Sequence, residues 1–573
     1  MRRYSGRFSL VVIVATLLGF NFGSRLLLTN DDTRFPVMAR DVLVNGHWLL
    51  PALPDGTPHL MKPPLVVWLI ALASWPGGAV SVRTAVLPSL LEAIGVVLLT
   101  YWLGRRLFDP DAGVVAGLTV ATTVGVYSMA HSSMPDMAQL VAATGAMAVY
   151  VASQFGDKRP WLVALYGIIG VGSLAKGAAG FIPLAIVLVD TITTHGRVGL
   201  KRLVSIPGWI VLAALAVPWW IVAAVSGGRA RFVQGVVVTD QLLSYFWRPV
   251  WGWRTLTEPF VHAVTVLLPW GLLLPFTVRR AFREADPEAA RRVRLLLVWL
   301  ATAFVLVAVS GRQRDRYYLP LCPATALLTG WWYSTLAWRW RARAFAGAWI
   351  AVVVGGVGLV TWNTPRFNAT TDLRDLRATL ARRSVPLFAV DVQDLAVSFN
   401  LDRAVVNDRS YRTFAAHAQH GQTGYLIISD RALSAQTIDP CMRRVASGVV
   451  TGRPFTVLEP TGCDDASDTG RHGVLRGLHG DHLVPRNDEG ATGGPVAPRI
   501  LERPTGFEPA TSSLGSLFHA TTCVTVLEKW RTRRSVRCVM TRGDPRDPKE
   551  RSLEWSLGGL DDMAAPARSL QPA

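Results

Sequence analysis

Charge and cysteine are what this chain has least of. Of its 573 residues only 17% are Asp, Glu, Lys or Arg, whereas 50% are hydrophobic, and the mean hydropathy is +0.30. That balance excludes an ordinary soluble globular protein and suits several membrane spans. The five cysteines are scattered with no Cys-x-x-Cys spacing, so neither a zinc site nor a redox pair is indicated. Cys322 falls in an apolar run and reads as packing, while Cys441 and Cys463 lie in a polar stretch and can pair if that stretch is exported. Acidic residues are scarcer than basic ones, 40 against 59, for a formal charge of +19. The excess arginines sit in short clusters between apolar runs, as in cytoplasmic loops of membrane proteins, so nucleic acid is not an expected partner.

What is abundant is apolar sequence in lengths that match a bilayer. A basic start, Arg2, Arg3 and Arg7, precedes an apolar run from about Phe8 to Leu28. No small-residue cleavage site follows, so the run reads as an anchor with a cytoplasmic N-terminus. The stretch from Arg34 to Val80 reads as a loop of interfacial character, with a short apolar helix started by Pro63-Pro64 lying along the membrane surface. Further spans are expected at 84–103, 113–130, 134–153, 161–175, 178–193, 207–225, 262–278, 293–310, 317–336 and 343–362, about eleven with the first at about 20 residues per crossing. Threaded from a cytoplasmic start, the clusters Arg105-Arg106, Lys158-Arg159, Lys201-Arg202, Arg279 to Arg294 and Arg339 to Arg343 all fall inside, as the positive-inside rule asks. Asp31-Asp32, Lys62, His131 to Asp136, Lys176, Ser226 to Phe260 and Arg312 to Tyr318 then share the external side.

The fold class expected is an all-α polytopic membrane protein with a small external α/β domain. Residues 1–363 form the membrane part and 364–461 the soluble part. In the latter Asp372 to Leu380 has helical spacing, and Leu387–Val390 and 424–428 read as buried strands. From 462 to 573 the chain has no periodicity, which argues disorder. Within it, Arg503 to Ser512 is encodable by bases that resemble the T-arm of a transfer-RNA gene, so part of this tail also reads as an over-extended or frameshifted reading frame.

Two adjacent carboxylates at the mouth of a membrane helix are costly to place there without a use. They stand in Asp31-Asp32-Thr33-Arg34-Phe35. Downstream come Lys62-Pro63-Pro64, Met134-Pro135-Asp136, Lys176-Gly177, Pro218-Trp219 and Arg316-Tyr317-Tyr318-Leu319-Pro320. In this order and on one side, over residues 8 to 340, they resemble the polytopic glycosyltransferases of the aminoarabinose-transferase and protein O-mannosyltransferase group, families 39 and 83 with the GT-C fold. The resemblance implies a polyprenyl-phosphate-linked sugar as donor, a membrane-associated or exported acceptor, the bilayer as surroundings, and inversion at the anomeric carbon on the external face of the inner membrane. It assigns Asp31 as the base acting on the acceptor hydroxyl and Asp136 as a second essential acid. A helix cap is the competing reading of the acidic pair and favourable helix-dipole placement that of Asp136. Lys62, Arg316 and Lys176 would meet the donor phosphate, with Asp32, Arg34, Asp240 and Arg314 as further candidates. Snorkelling to headgroups competes for Arg312 and Arg314, and Lys176 equally suits carbonyl capping.

The chain departs from the group where an acid often precedes Lys-Pro-Pro. Met61 stands there and cannot ligate a hard ion. His59 and Asp240 are the substitutes at hand, so a divalent metal stays open and no other cofactor is expected. Trp247, Trp251, Trp253, Trp270, Trp331 and Trp332 either stack on sugar or belong to an aromatic belt. A transporter or lipid flippase is the rival class, against which stand the absence of an internal repeat and the position of the ionisable groups at helix ends. A membrane scaffold that binds a partner through its soluble part would leave the charges unexplained.

Overall fold

Thr29 opens the helix on which the acidic pair sits. Its backbone is extended (φ −108°, ψ 154°) and its side chain accepts from the backbone N–H of Asp32, the N-cap arrangement that satisfies one orphan donor of a helix start. Asp31 and Asp32 in the first turn suit the positive end of the dipole, and Gly46, at φ 73°, ends the helix in the left-handed conformation. Helix α2, Asn30–Asn45, therefore replaces the loop expected from Arg34 onward. Its apolar stretches, 35–39 and 42–44, are too short for a hydropathy reading, but Thr29 and Gly46 are the cap residues that mark such a helix in sequence.

The computed structural model describes residues 2–461 except 154–159, 228–252 and short gaps at 312, 338, 383–384, 409, 420–422, 437 and 439–440. Asp240, Trp247, Trp251, Cys463 and the tail from 462 lie outside the described residues, and so does Arg312. Before α2 comes α1, Arg2–Gly19; after it come α3, Leu65–Ser74, and α4, Val82–Leu107. There follow α5, Pro110–Ala121, α6, Val124–Ala130, α7, Asp136–Ser153, α8, Pro160–Lys176, α9, Ile182–His195, and α10, Ile206–Ser226. The second half holds α11, Trp253–Leu267, α12, Leu274–Ala281, α13, Pro287–Ala308, α14, Leu321–Thr335, and α15, Arg341–Ala369.

Among the described residues four helices are long and apolar enough to cross a membrane, Val82–Leu107, Trp161–His195, Ile206–Ser226 and Arg341–Ala369. Counting each of two bent pairs as one span gives six. The pairs are Pro110–Ala121 with Val124–Ala130, bent by 60°, and Leu256–Leu267 with Trp270–Ala281, bent by 111°. The expected eleven are not reached by that measure, for physical reasons. Helix α14 has 15 residues, short of a hydrocarbon core about 30 Å thick at 1.5 Å per residue. Helix α13 carries Arg291, Arg292 and Arg294 in its first half. The stretches expected at 161–175 and 178–193 count as one candidate span, with a short 3₁₀ turn at Gly177–Phe181.

The main apolar core packs α4, α5, α7, α8, α13 and α14 around Val97, Leu103, Leu140, Tyr166, Trp299 and Leu328. Trp299 is buried whole because its indole N–H donates to the carbonyl of Pro320 at 3.0 Å. A second core joins α2, α3 and the start of α4 through Phe35, Met38, Val66, Ile70 and Val86.

Residue 363 lies inside α15, so the long helix runs into the region that follows. There α16, Arg374–Arg382, α17, Asp394–Leu401, α18, Tyr411–Gln419, and α19, Asp430–Ser434, flank five strands. These are β1, Leu387–Val390, β2, Val405–Asn407, β3, Tyr425–Ser429, β4, Met442–Val450, and β5, Arg453–Pro460, in the order β2-β1-β3-β5-β4. Strand β1 pairs in parallel with β2 and β3, Leu387 facing Val405 and Tyr425, while β5 runs antiparallel to β3 and β4. The central strand β3 is buried along its whole length, as a strand covered on both faces must be. Phe399 of α17 belongs to the same apolar cluster as Phe35 and Met38 of α2, which seats this layer against the helix of the acidic pair.

Candidate active site

Three helix ends and one turn bring the charged residues together. Asp31 comes from the first turn of α2, Asp136 is the first residue of α7, Lys176 the last of α8, and Arg316 sits in a 3₁₀ turn, Asp315–Tyr318. Arg316 bridges the two acids. Its Nη2 donates to Asp31 Oδ2 at 2.8 Å, and its Nε lies 3.7 Å from Asp136 Oδ2. Lys176 Nζ donates to the other oxygen of Asp136 at 2.7 Å and stands 4.6 Å from the ring centre of Tyr317. Arg314 pairs with Asp31 as well, and Arg34 approaches its Oδ1 at 3.4 Å.

Asp136 is almost fully buried, with 2% of its side chain exposed, whereas 15% of Asp31 remains open. Burial raises the pKa of Asp31, but Arg316, Arg314 and Arg34 outweigh it and hold the carboxyl below its ordinary value. The pKa of Arg316 is raised in spite of burial, by Asp136, Tyr317 and Asp31. A carboxylate ionised and partly open beside cations is a group able to take a proton from a hydroxyl.

Asp32 is turned away from this cluster. It is 1% exposed; its Oδ2 accepts from Thr29 Oγ1 at 3.0 Å and its Oδ1 from Ser132 Oγ at 2.9 Å. The Ser133 hydroxyl donates to the carbonyl of Asp32. The neighbouring acids thus occupy different surroundings, Asp32 within a hydrogen-bonded anchor and Asp31 among arginines.

Lys62 is half-buried on the loop that also carries His59. The His59 imidazole is buried, and its Nε2 has no hydrogen-bond partner among the described residues. Its pKa is pushed down to about 4 by burial, then by Arg34 and Lys62. Lys62 therefore acts on the same neighbourhood as Arg34. Among the described residues no three His, Cys, Asp or Glu side chains converge as a metal site.

Of the tryptophans weighed for sugar stacking, Trp270 donates from its indole to Thr122 Oγ1 at 2.8 Å and Trp331 is buried, both within the core. Trp253 is 83% exposed. Cys322 is buried and free, and Cys441 is disulfide-bonded. The sequence reading passed over Ser132, Ser133 and Asn30, whose short side chains lie beside the quoted motifs. It also missed His262, which pairs with Asp315 and stacks on Tyr318, bracing the turn that presents Arg316.

Residues 61–222 match the model of the family described as dolichyl-phosphate-mannose-protein mannosyltransferase. An undecaprenyl phosphate-alpha-4-amino-4-deoxy-L-arabinose arabinosyl transferase of Pectobacterium atrosepticum is 27% identical over 367 residues, 61% of this chain and 63% of that protein. Its counterpart in Edwardsiella ictaluri is 27% identical over 354 residues, 58% of this chain and 60% of that protein. The chain thus matches roughly three fifths of the length of these relatives. The crystal structure of ArnT from Cupriavidus metallidurans bound to undecaprenyl phosphate superposes with a TM-score of 0.64 at 19% identity, covering 79% of this chain and 98% of that one. Its apo form gives 0.65. In sequence this chain is similar to glycosyltransferases of the aminoarabinose-transferase and protein-mannosyltransferase type, and its fold is like that of ArnT.

Proposed function

We propose that the protein is an integral membrane glycosyltransferase that takes a sugar from a polyprenyl-phosphate donor and passes it to an acceptor hydroxyl on the external face of the bacterial inner membrane. The observation that carries this reading is the bridge Asp31–Arg316–Asp136–Lys176, two carboxylates and two cations at helix ends. Similarity to enzymes named for undecaprenyl-phosphate sugars supports it. In the reaction Asp31 removes the proton of the acceptor hydroxyl as its oxygen bonds to the anomeric carbon. The bond from that carbon to the phosphate oxygen breaks, and its electron pair leaves with the polyprenyl phosphate. One displacement inverts the centre. Arg316, Arg314 and Lys62 receive the negative charge that develops on the leaving phosphate, an interaction strongest in a site poor in water. Lys176 holds Asp136, and Asp136 holds Arg316.

This reading includes a multi-pass topology with about eleven crossings, a cytoplasmic N-terminus and the α/β layer outside. The acceptor belongs to lipids, polysaccharides or proteins of the envelope. Transporters gather their ionisable groups near the bilayer midplane, and the clustering at helix ends favours the transferase.

Donor turnover by purified protein, wild type against Asp31→Asn, tests the proposal with a panel of polyprenyl-phosphate sugars and crude membrane acceptors. Losing the base is expected to lower kcat by about 10²–10⁴-fold with membrane insertion unchanged. Full turnover in Asp31→Asn removes that residue from the mechanism, and no turnover of any donor by wild type removes the transferase reading.

A further inference from the structure

The residue next to Asp31 is held from the α/β layer. Asn30 is the first residue of α2, so its backbone N–H is one of the orphan donors of a helix start. It donates to Oε1 of Gln393 at 2.8 Å. Gln393 is itself the N-cap of α17 and makes no cap bond to its own helix. That service comes from Asn30, whose Oδ1 accepts from the backbone N–H groups of Leu395 at 3.0 Å and Ala396 at 3.4 Å. Asn30 Nδ2 completes the set by donating to Asp394 Oδ1 at 2.7 Å. Two helices more than 360 residues apart in sequence thus cap each other's N-termini.

The contact is fixed on both sides. Asn400 Nδ2 donates to the carbonyl of Leu27 at 2.8 Å, and Arg40 donates to the carbonyls of Ser398 and Phe399, both at 3.3 Å, and pairs with Asp402 at 2.9 Å. Within α2, Thr29 serves the N–H groups of Asp32 and Thr33. The N–H of Asn30 is served by Gln393 alone among the bonds described for it. Without Gln393 this N–H, one residue before Asp31, loses its partner, and the start of the first turn is free to shift.

We propose that Asn30 and Gln393 form a reciprocal helix cap through which the α/β layer sets the position of Asp31 for proton removal. Asn30, Gln393 and Asp394 are then positioning residues, and the layer is a working part of the site. The inference rests on the reading of Asp31 as the base.

The test exchanges the partners. Asn30→Asp sets two carboxylates against each other where Asn30 Nδ2 now meets Asp394 Oδ1. Adding Asp394→Asn restores one donor and one acceptor with the roles reversed. Both variants are compared with wild type for kcat, donor KM and hydrogen exchange of the amides of residues 30–35. Displacement of a base by about 1 Å costs on the order of 10²-fold in rate. The single variant is therefore expected to lose at least about tenfold in kcat with donor KM nearly unchanged and faster exchange, and the double variant to regain both. Gln393→Ala, a milder change, serves if the first variant does not fold, with the same direction expected. A kcat equal to wild type in the single variant overturns the proposal, and so does a loss that the double variant fails to recover. If wild type turns over no donor, the transferase reading falls, and the exchange data decide separately whether the cap holds the first turn.

Discussion

Asp31 and Asp32 are neighbours in sequence with opposite surroundings, and the difference decides which of them can do chemistry. Asp32 spends its oxygens on Thr29 and Ser132. Asp31 faces Arg316, Arg314 and Arg34, which hold its pKa below the ordinary carboxylate value against the upward push of burial. A carboxylate so depressed stays ionised as pH falls, but it is a weak base while the arginines are on it. Donor phosphate competes for those arginines, so binding of the donor frees the carboxylate and strengthens it as a base. The sign follows directly. The acid limb of kcat/KM, which reports the free enzyme, lies at low pH and moves upward in Arg314→Gln, because one of the depressing charges is gone. The acid limb of kcat, which reports the loaded enzyme, lies above that of kcat/KM in wild type. Rate profiles between pH 3 and 8 check both, and coincident limbs would show that donor and Asp31 do not share the arginines. The sequence alone made Asp31, Asp136, Lys176 and Arg316 legible as chemical groups, because charged residues at the ends of apolar runs stand out. It was silent on Ser132, Ser133 and Asn30, since small polar residues carry no periodic or charge signal and acquire a meaning only from partners far along the chain.

At the scale of elements, α2 contains a proline that explains one of those serines. Pro36 has no N–H, so the carbonyl of Asp32, four residues earlier, loses its intrahelical donor. The Ser133 hydroxyl, on the turn before α7, donates to that carbonyl. The break in the ladder thus ties α2 to the helix that begins with Asp136, and the two acids are held in one frame. Ser133→Ala leaves a buried carbonyl unsatisfied and is expected to destabilise the protein by about 1–3 kcal/mol. Pro36→Ala restores the N–H, so in its background the serine matters less, and the double variant is expected to recover most of the loss. Thermal unfolding of the four proteins in detergent measures the coupling, and additive effects would mean that the hydroxyl acts elsewhere. By its hydropathy the part of α2 from Arg34 onward reads as loop, although Thr29 and Gly46 mark the helix ends. Hydropathy finds helices that face lipid, and α2 faces Phe399, Val66 and its own polar network instead. The strands at Leu387–Val390 and 424–428 were visible because a buried strand is a short unbroken apolar run; the pairing order β2-β1-β3-β5-β4 was not, since register depends on the partners.

At the scale of the whole chain, parity of crossings is a fragile way to assign sides, because one miscounted helix inverts every later loop. The bent pairs at 60° and 111° are where a count goes wrong. The contacts of Asn30 and Arg40 supply a constraint that no count of spans can alter. Gln393, Leu395 and Asp402 touch α2 directly, so the α/β layer lies on the same side of the membrane as Asp31, whichever side that is. The proposed topology puts Lys201 and Arg202 inside, as the positive-inside rule asks, and the α/β layer with Asp31 outside. Single cysteines in a background without the native ones separate the possibilities. Ser434→Cys, at the exposed end of α19, and Lys201→Cys, on the turn before α10, are both open to reagent. An impermeant maleimide added to intact spheroplasts is expected to label position 434 at once and position 201 only after the membrane is permeabilised. Labelling of 201 alone would turn the molecule over and move the reaction to the cytoplasmic face. Labelling of both in sealed cells would place an odd number of crossings wrongly between them, while the contact between Asn30 and α17 would still hold the α/β layer beside Asp31.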